Sequence, residues 1–306
     1  MMISTISRFL ALVAFLGLAG VPAFAGDITV GHMQGETAVP LKPAKVLVFD
    51  LAALDILDRL GVEAAGVPGG VKPAYLAKYN DDGILKIGTL FEPDYEAVNA
   101  AGADLIIVGG RSAAKYPELS KIAPTIDLTG DPKDFLGSIR RNVEVLGRIF
   151  GKEAQASREI DDLDAAVGGL KKKAQDKGNG LLILTTGGKV SAYGPGSRFG
   201  ILHDAFGVVP AAPGLATGNH GQPVSFEFIL ETNPDWLFVI DRDAAIGREG
   251  SPARQLLDNE LVGQTTAWKK QHVVYLDPAN WYLVGGGLTS LHQSIDQISK
   301  AFDEAS

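Results

Sequence analysis

The sequence predicts an α/β protein built as two related lobes joined by one long helix. Three observations carry this prediction. Strand and helix patterns alternate along the chain, the second half echoes the first, and the stretch between the halves is the least turn-like part of the sequence.

The first lobe begins with a short apolar strand at 45–49, followed by a helix over 51–60. Leu54, Ile56, Leu57 and Leu60 have helical spacing there, and Gly61 closes the helix. Residues 96–101, closed by Gly102, form the next helix and lead into a strand at 104–108. Alternation of this kind argues for parallel sheets. In the second half, 181–184 reads as a strand and 201–206 as a short helix closed by Gly207. Ile56, Leu60, Gly61 and Val62 recur 146 positions later as Leu202, Phe206, Gly207 and Val208. Glu96, Asp104 and Arg111 recur as Glu227, Asp235 and Arg242, each displaced by 131. Both copies read Glu, apolar helix, Asp, apolar strand, then Arg just past the strand. Any two α/β units can echo each other by chance, and the two offsets require an insertion between the matching pieces. Three charged residues sharing one offset nevertheless favour duplication.

Between the halves, 134–150 is amphipathic, with Phe135, Ile139, Val143, Leu146 and Ile149 on one side. After Gly151, the run 152–175 continues with Ile160, Leu163, Val167 and Leu170 at helical spacing. As a helix it would be ~36 Å long at 1.5 Å per residue. The heptads lapse and Gly168-Gly169 interrupts the run, so a strut between lobes is favoured over a coiled coil. The chain ends on a helix bearing Leu288, Leu291, Ile295, Ile298 and Phe302.

Composition narrows the function. The 306 residues are 46% hydrophobic and 21% charged, with no cysteine and a net charge of −8. Disorder, thiol catalysis, disulfides and Cys-ligated metals are excluded, and an acidic chain has no electrostatic footprint for nucleic acid. Arg8, the apolar run 9–18 and the small residues Ala23 and Ala25 describe a secretory signal peptide over 1–25, cleaved after Ala25. That run is shorter than the roughly 20 residues a membrane span needs. Without cysteine there is no lipid anchor, so a soluble periplasmic protein is expected.

Enzyme motifs are missing. Residues 194–200 (GPGSRFG) resemble a phosphate loop, but the third glycine falls one place late, and no P-loop, nucleophile elbow or H-E-x-x-H is present. The five histidines (32, 203, 220, 272 and 292) are scattered. What remains is Arg111, Arg198 and Arg242, each at or near a strand end, where open α/β sheets bind ligands. Three arginines there suit an anion in a cleft between lobes, although Asp241 and Asp243 flank Arg242 as alternative partners. His220 and Tyr282 lie in neighbouring glycine-rich loops and suit a hard Lewis acid such as Fe(III). Taken alone, Trp281 and Tyr282 read as core or rim aromatics.

From Lys45 onward the chain resembles the periplasmic substrate-binding proteins whose two lobes are joined by one long helix, within them the branch that binds ferric catecholates of the petrobactin and enterobactin type. The resemblance is carried by Gly109-Gly110-Arg111, by 122–125 (IAPT), 193–200 (YGPGSRFG), 224–227 (VSFE) and 238–242 (FVIDR), and by Leu276-Asp277-Pro278 with Trp281-Tyr282-Leu283. It implies two Rossmann-like lobes in the class III, or cluster A, arrangement, with the ligand cleft between them; because a helical strut bends less than a pair of loose strands, small lobe closure is expected. The boundaries are an N-terminal extension 26–44, a lobe 45–150, a linking helix 152–177 and a lobe 179–306.

It further implies a monomer that catalyses nothing, holds no permanent cofactor, and passes an Fe(III)-siderophore to the permease of an inner-membrane ABC importer. Arg111, Arg198 and Arg242 would surround the catecholate oxygens. His220 and Tyr282 would complete the iron shell of a tetradentate complex, with Trp281 the other residue in reach of the tyrosine register. Glu96 and Glu227 would dock onto the transporter. The competing expectations are the same scaffold with a hydroxamate siderophore, haem, cobalamin or free metal as cargo, and, from another class, an exported α/β hydrolase.

Overall fold

The computed structural model describes residues 26–248 and 252–305. The leader expected at 1–25 lies outside the described residues. The chain opens with an antiparallel hairpin, β1 (Asp27–His32) and β2 (Gly35–Pro40), where the sequence reading placed an undefined extension. Its alternation buries Val30 and Val39 while their strand neighbours remain partly or fully exposed.

The first sheet follows as β3 (Val46–Val48), α1 (Leu51–Arg59), β4 (Gly66–Val67), β5 (Leu85–Lys86), α2 (Tyr95–Ala101), β6 (Leu105–Val108), α3 (Tyr116–Leu119) and β7 (Thr125–Asp127). Its five strands are parallel in the order β5-β4-β3-β6-β7. Both faces are covered. Leu105 and Ile107 of β6 join one core, and Ile106 and Val108 join another. An uninterrupted apolar strand is the sequence sign of that two-sided burial.

Helix α4 (Phe135–Phe150) ends at Gly151 in the left-handed conformation, and α5 (Glu153–Ala174) begins two residues later. The two helices pack so closely that a Cβ on Gly147 would lie 2.6 Å from the Ala156 Cβ. At 22 residues, α5 is about 33 Å long. It is not a bare strut. Ala156, Leu163, Val167, Leu170 and Ala174 are buried. Glu159 near its start meets Arg59 of α1 at 2.8 Å, and Lys173 near its end meets Asp303 at 2.7 Å.

The second sheet is built from β8 (Asn179–Thr186), β9 (Lys189–Tyr193), α6 (Ile201–Asp204), β10 (Val209–Pro210), β11 (Gln222–Val224), α7 (Phe226–Thr232), β12 (Trp236–Asp241), α8 (Arg242–Ala245), α9 (Ala253–Leu257), α10 (Glu260–Gly263), α11 (Thr266–Lys269) and β13 (Val273–Tyr275). A six-residue π-helical turn, Ala279–Val284, precedes the final helix α12 (Leu288–Glu304). The strand order is β11-β9-β8-β12-β13, with β10 also on β8. This sheet is mixed, where the sequence pattern suggested parallel strands throughout. Gly187 and Gly188, at φ +54° and +76°, form a two-residue turn that folds β9 back antiparallel on β8, and β11 then pairs antiparallel with β9.

The internal echo has a structural basis. Helices α2 and α7 are each seven residues, are capped by Asp94 and Ser225, end in left-handed Gly102 and Asn233, and bury Val98 and Ile229. Asp104 accepts from the amides of Ala44 and Lys45 ahead of β3, and Asp235 accepts from the amide of Asn179 at the start of β8. Each acid thus ties its strand to the central neighbour. Likewise β4 pairs parallel with β3, and β10 with β8. The offset falls from 146 to 131 because Val62 to Glu96 spans 34 positions and Val208 to Glu227 only 19, and the second half separately inserts β9 and the 194–200 loop ahead of α6. Arg198 lies in that insertion and has no counterpart in the first half.

Candidate functional site

Strands β6 and β12 are equivalents, and an arginine follows each, three residues after β6 and one after β12. After β6 the chain turns through Gly109 and Gly110. The Gly109 amide donates to the Ser112 hydroxyl at 3.2 Å and the Gly110 amide to the Thr129 hydroxyl at 2.9 Å, fixing the base of Arg111. After β12, Asp241 caps α8 by accepting from the Ala244 amide at 3.0 Å, and Arg242 is the first residue of that helix. Arg198 belongs to the inserted loop. There the Gly196 amide donates to Asp204 at 2.7 Å and the Ser197 hydroxyl to the Gly194 carbonyl at 2.6 Å, making a fixed turn.

All three guanidiniums converge on Tyr282. Their Cζ atoms lie 5.3 Å (Arg111), 4.6 Å (Arg198) and 5.5 Å (Arg242) from its ring centroid. Arg111 donates to the carbonyls of Tyr282 and Leu283, the latter at 3.1 Å, and Arg198 donates to the Tyr282 carbonyl at 3.0 Å. Arg242 Nε donates to the Tyr282 phenolic oxygen at 2.7 Å, and its Nη1 to the Thr186 hydroxyl at 3.2 Å. The π-helical turn makes this arrangement possible. The Gly285 amide reaches back to Asn280 at 2.8 Å and the chain then leaves the helix, so the carbonyls of 282 and 283 are presented to side chains.

The electrostatics are those of an anion site. Burial lowers the Arg111 guanidinium from its ordinary value and the nearby Arg198 charge adds to this, with Tyr282 and Asp50 opposing. Burial by itself would raise the Tyr282 phenol. The Arg242 hydrogen bond and the charges of Arg198 and Arg242 outweigh it and hold the phenol below its ordinary value of 10.0. Among the described residues, carboxylates do little to neutralise the trio. Asp243 approaches Arg242 only to 4.0 Å and is itself held by the Thr186 hydroxyl and the Gly187 amide. Asp241 is occupied by the amides of Ala244 and Ala253.

Residues 46–279 match the periplasmic binding protein family. The chain belongs to it. The petrobactin-binding protein YclQ of Bacillus subtilis is 45% identical over 283 residues, 91% of this chain and 89% of that protein. Its crystal structure superposes with a TM-score of 0.88 at 44% identity, covering 90% of this chain and 99% of that one. The ferric-anguibactin-binding protein FatB of Vibrio anguillarum is 35% identical over 90% of this chain and 87% of its own length. The catecholate-siderophore binding protein VctP of Vibrio cholerae superposes with a TM-score of 0.85 at 34% identity, covering 90% of this chain and 99% of that one. These relatives bind substrates and are not enzymes, and neither is this chain.

In this periplasmic binding protein the remaining sequence-predicted residues lie outside the arginine cluster. His220 is exposed in the turn that precedes β11. Its neighbour Gly221 abuts the Tyr193 ring so closely that a Cβ would lie 2.7 Å from the ring Cζ. Glu96 and Glu227 are exposed in the first turns of α2 and α7. Trp281 is buried and stacks edge-on against Phe206 at 6.3 Å, so Tyr282 is the aromatic that faces the arginines.

Sequence reasoning missed the contributions of Thr186, Tyr193 and Asp50. Tyr193 is buried and raised by that burial, with the charges of Arg198 and Arg242 opposing the shift. Asp50 caps α1 by accepting from the Ala53 amide and packs against Gly109. Burial pushes its carboxyl up, while the Ala53 amide and the Arg111 charge pull it down. The available signal was placement for Thr186, which ends β8 beside the point where β12 runs into Arg242, whereas Tyr193 lies farther back, opposite Leu182. A groove of about 1010 Å³ lined by His32, Asp127, Arg141 and Arg148 opens between the β1–β2 hairpin and helices α4 and α5, and none of the predicted site residues lines it.

Proposed function

We propose that this protein captures a ferric catecholate siderophore and delivers it to the permease of an ABC importer. The observation that carries the reading is the convergence of three arginines on Tyr282 with so little carboxylate to neutralise them. A ferric tris-catecholate is a trianion and supplies the missing charge. The names of YclQ and VctP, binders of petrobactin and of catecholate siderophores, support the same reading. In operation, the guanidiniums exchange their hold on the Tyr282 and Leu283 carbonyls for the catecholate oxygens, a trade of neutral acceptors for charged ones that favours the ligand.

A siderophore with two catechols leaves two iron positions open. Tyr282, already depressed, supplies a phenolate oxygen, and His220 supplies an imidazole once its exposed turn folds over the iron. Among the described residues no group of three or more His, Asp or Glu side chains could hold a metal ion, so iron comes as cargo already wrapped in the siderophore's donors. The protein is exported by a leader over 1–25, is not lipid-anchored, and works as a periplasmic monomer. Its lobes are 45–150 and 179–306, joined by the linker 152–177 in which α5 runs from Glu153 to Ala174, with the hairpin as the extension 26–44.

Quenching of tryptophan fluorescence tests the reading, because Trp281 is the residue next to Tyr282. Ferric bis- and tris-catecholates quench, while a ferric hydroxamate and haem do not; a protein blind to both catecholates overturns the proposal. His220→Ala is expected to remove the change that the protein induces in the charge-transfer band of a tetradentate ferric complex. The same variant leaves the hexadentate tris-catecholate bound as in the wild type. Absorbance spectra of the two complexes check this.

Glu96 and Glu227, at matching places on the duplicated helices, are the transporter contacts. The Ser225 hydroxyl, hydrogen-bonded to Glu227, holds that carboxyl below its ordinary range and therefore ionised. Glu96→Lys and Glu227→Lys are expected to stop siderophore-dependent iron uptake by cells while the purified proteins retain wild-type affinity. Uptake that persists in the double variant contradicts this assignment.

A further inference from the structure

Asp55 lies in the middle of α1, where the helix has no use for a carboxylate, and its side chain is 0% exposed. Its partners come from elsewhere. One carboxylate oxygen accepts from the Thr289 amide at 2.8 Å, and the other from the Ser290 amide at 3.0 Å and the Tyr75 hydroxyl at 2.8 Å. Thr289 and Ser290 form the first turn of α12, whose own cap position is Gly287 and offers no side chain. A carboxylate from α1 therefore caps a helix that follows the second sheet in the chain, satisfying amides that are otherwise orphaned and meeting the positive end of the helix. Burial raises the Asp55 carboxyl, and the two amide hydrogen bonds pull it back.

The same short segment is held from the other side. Arg111, at the end of β6, donates to the carbonyls of Tyr282 and Leu283. The stretch from the π-helical turn to α12 is thus gripped at both ends by opposite charges from the first lobe, a cation on its carbonyls and an anion on its amides. Gly285, Gly286 and Gly287 lie between the two grips. Gly285 is left-handed at φ +68°, so the link turns sharply there. Gly287 has an ordinary extended backbone, but a Cβ on it would strike the Asp55 carboxylate. Its missing side chain is what admits Asp55 to the helix end.

We infer that Asp55 is a positioning residue of the ligand site. By anchoring the amide end of α12 it fixes the glycine link, and with it the turn that presents Tyr282 to Arg111, Arg198 and Arg242. The inference rests on the reading of that cluster as the ligand site. A residue serving only to cap α12 would change stability and leave the Tyr282 phenol unchanged.

The test uses the full chain and a readout that needs no ligand. The Tyr282 contribution to the near-ultraviolet circular dichroism, which reports how firmly its ring is held, is recorded by subtracting Tyr282→Phe in each background. Asp55→Asn removes the charge at constant size, Gly287→Ala crowds the same contact from the opposite side, and Tyr75→Phe removes one donor while leaving both amide bonds. In Asp55→Asn and Gly287→Ala that contribution is expected to fall well below its wild-type amplitude. Affinity for a ferric tris-catecholate falls about tenfold in both, the scale of one misaligned charge-assisted hydrogen bond. Tyr75→Phe shifts both in the same direction and by less.

A Tyr282 dichroism unchanged from the wild type in the folded variants overturns the inference, whatever their melting temperatures. Should Asp55→Asn fail to fold, Gly287→Ala and Tyr75→Phe decide by the same readout. If the wild type binds no catecholate yet the Tyr282 dichroism still changes in the variants, the ligand reading fails and the positioning role stands.

Discussion

Alanine at Arg111, Arg198 or Arg242 is expected to weaken binding of a ferric tris-catecholate by about ten- to hundredfold each, since a hydrogen bond to a charged group contributes roughly 1.5–3 kcal/mol. Arg111 should show the largest effect. It is the arginine whose burial most disfavours its charge, and its loss also strands the Leu283 carbonyl, while Arg198 still reaches that of Tyr282. The three losses are not expected to add, because all three side chains share Tyr282 and each removal relieves the repulsion that arginine exerted on the other two. That repulsion gives the prediction a second part. Arg198→Ala should melt no lower than the wild type without ligand, because the carbonyl to which it donates is also satisfied by Arg111. Isothermal titration and thermal unfolding of the three variants measure both parts. An Arg198→Ala protein that loses stability but keeps its affinity contradicts the site.

Tyr282→Phe separates the two classes of cargo. A phenol must lose its proton to bind iron, so only the tetradentate complex depends on Tyr282 titrating. The depressed folded-state value means that this deprotonation costs less at neutral pH than for an ordinary tyrosine. Below the folded value, wild-type affinity for a ferric bis-catecholate should fall by up to about tenfold per pH unit, as one proton is released on binding. Above that value the dependence vanishes. Tyr282→Phe should abolish the pH dependence together with the charge-transfer change, and lower bis-catecholate affinity by at least about tenfold. Tris-catecholate affinity should change much less, because six oxygens already fill the iron shell. Titrations of both complexes across neutral to alkaline pH check this, and a pH slope that survives in Tyr282→Phe would rule out the phenol as the group responsible.

Much of the architecture was legible because the signals were periodic. The spacing of Leu163, Val167 and Leu170 marked α5, and Leu288 through Phe302 marked α12. The shared offset of Glu96, Asp104 and Arg111 located three structurally equivalent pairs. Less legible were features set by contacts between distant segments. The β1–β2 hairpin is short and half-exposed, so its alternation was too brief to stand out. The antiparallel return of β9 depends on two glycines that composition alone does not distinguish from a loop. At the site, the residue types were readable but their partners were not. Nothing in the spacing showed that Arg111 and Arg198 would share a main-chain carbonyl, because the π-helical turn that offers it forms only when the chain breaks at Gly285. Asp55 was hidden among the apolar residues of α1 for the same reason: its partners lie 234 and 235 positions away.

The central claim is that the cleft recognises the charge of a chelate and not its outline alone. Ferric and germanium(IV) tris-catecholates of one siderophore share their shape but differ by one unit of charge, the first a trianion and the second a dianion. Competition between them for the wild-type protein and for Arg198→Ala tests the claim most directly. The predicted result is tighter binding of the ferric complex by the wild type and a smaller preference in the variant. Equal affinities in the wild type, or a preference unchanged by removing Arg198, would contradict it.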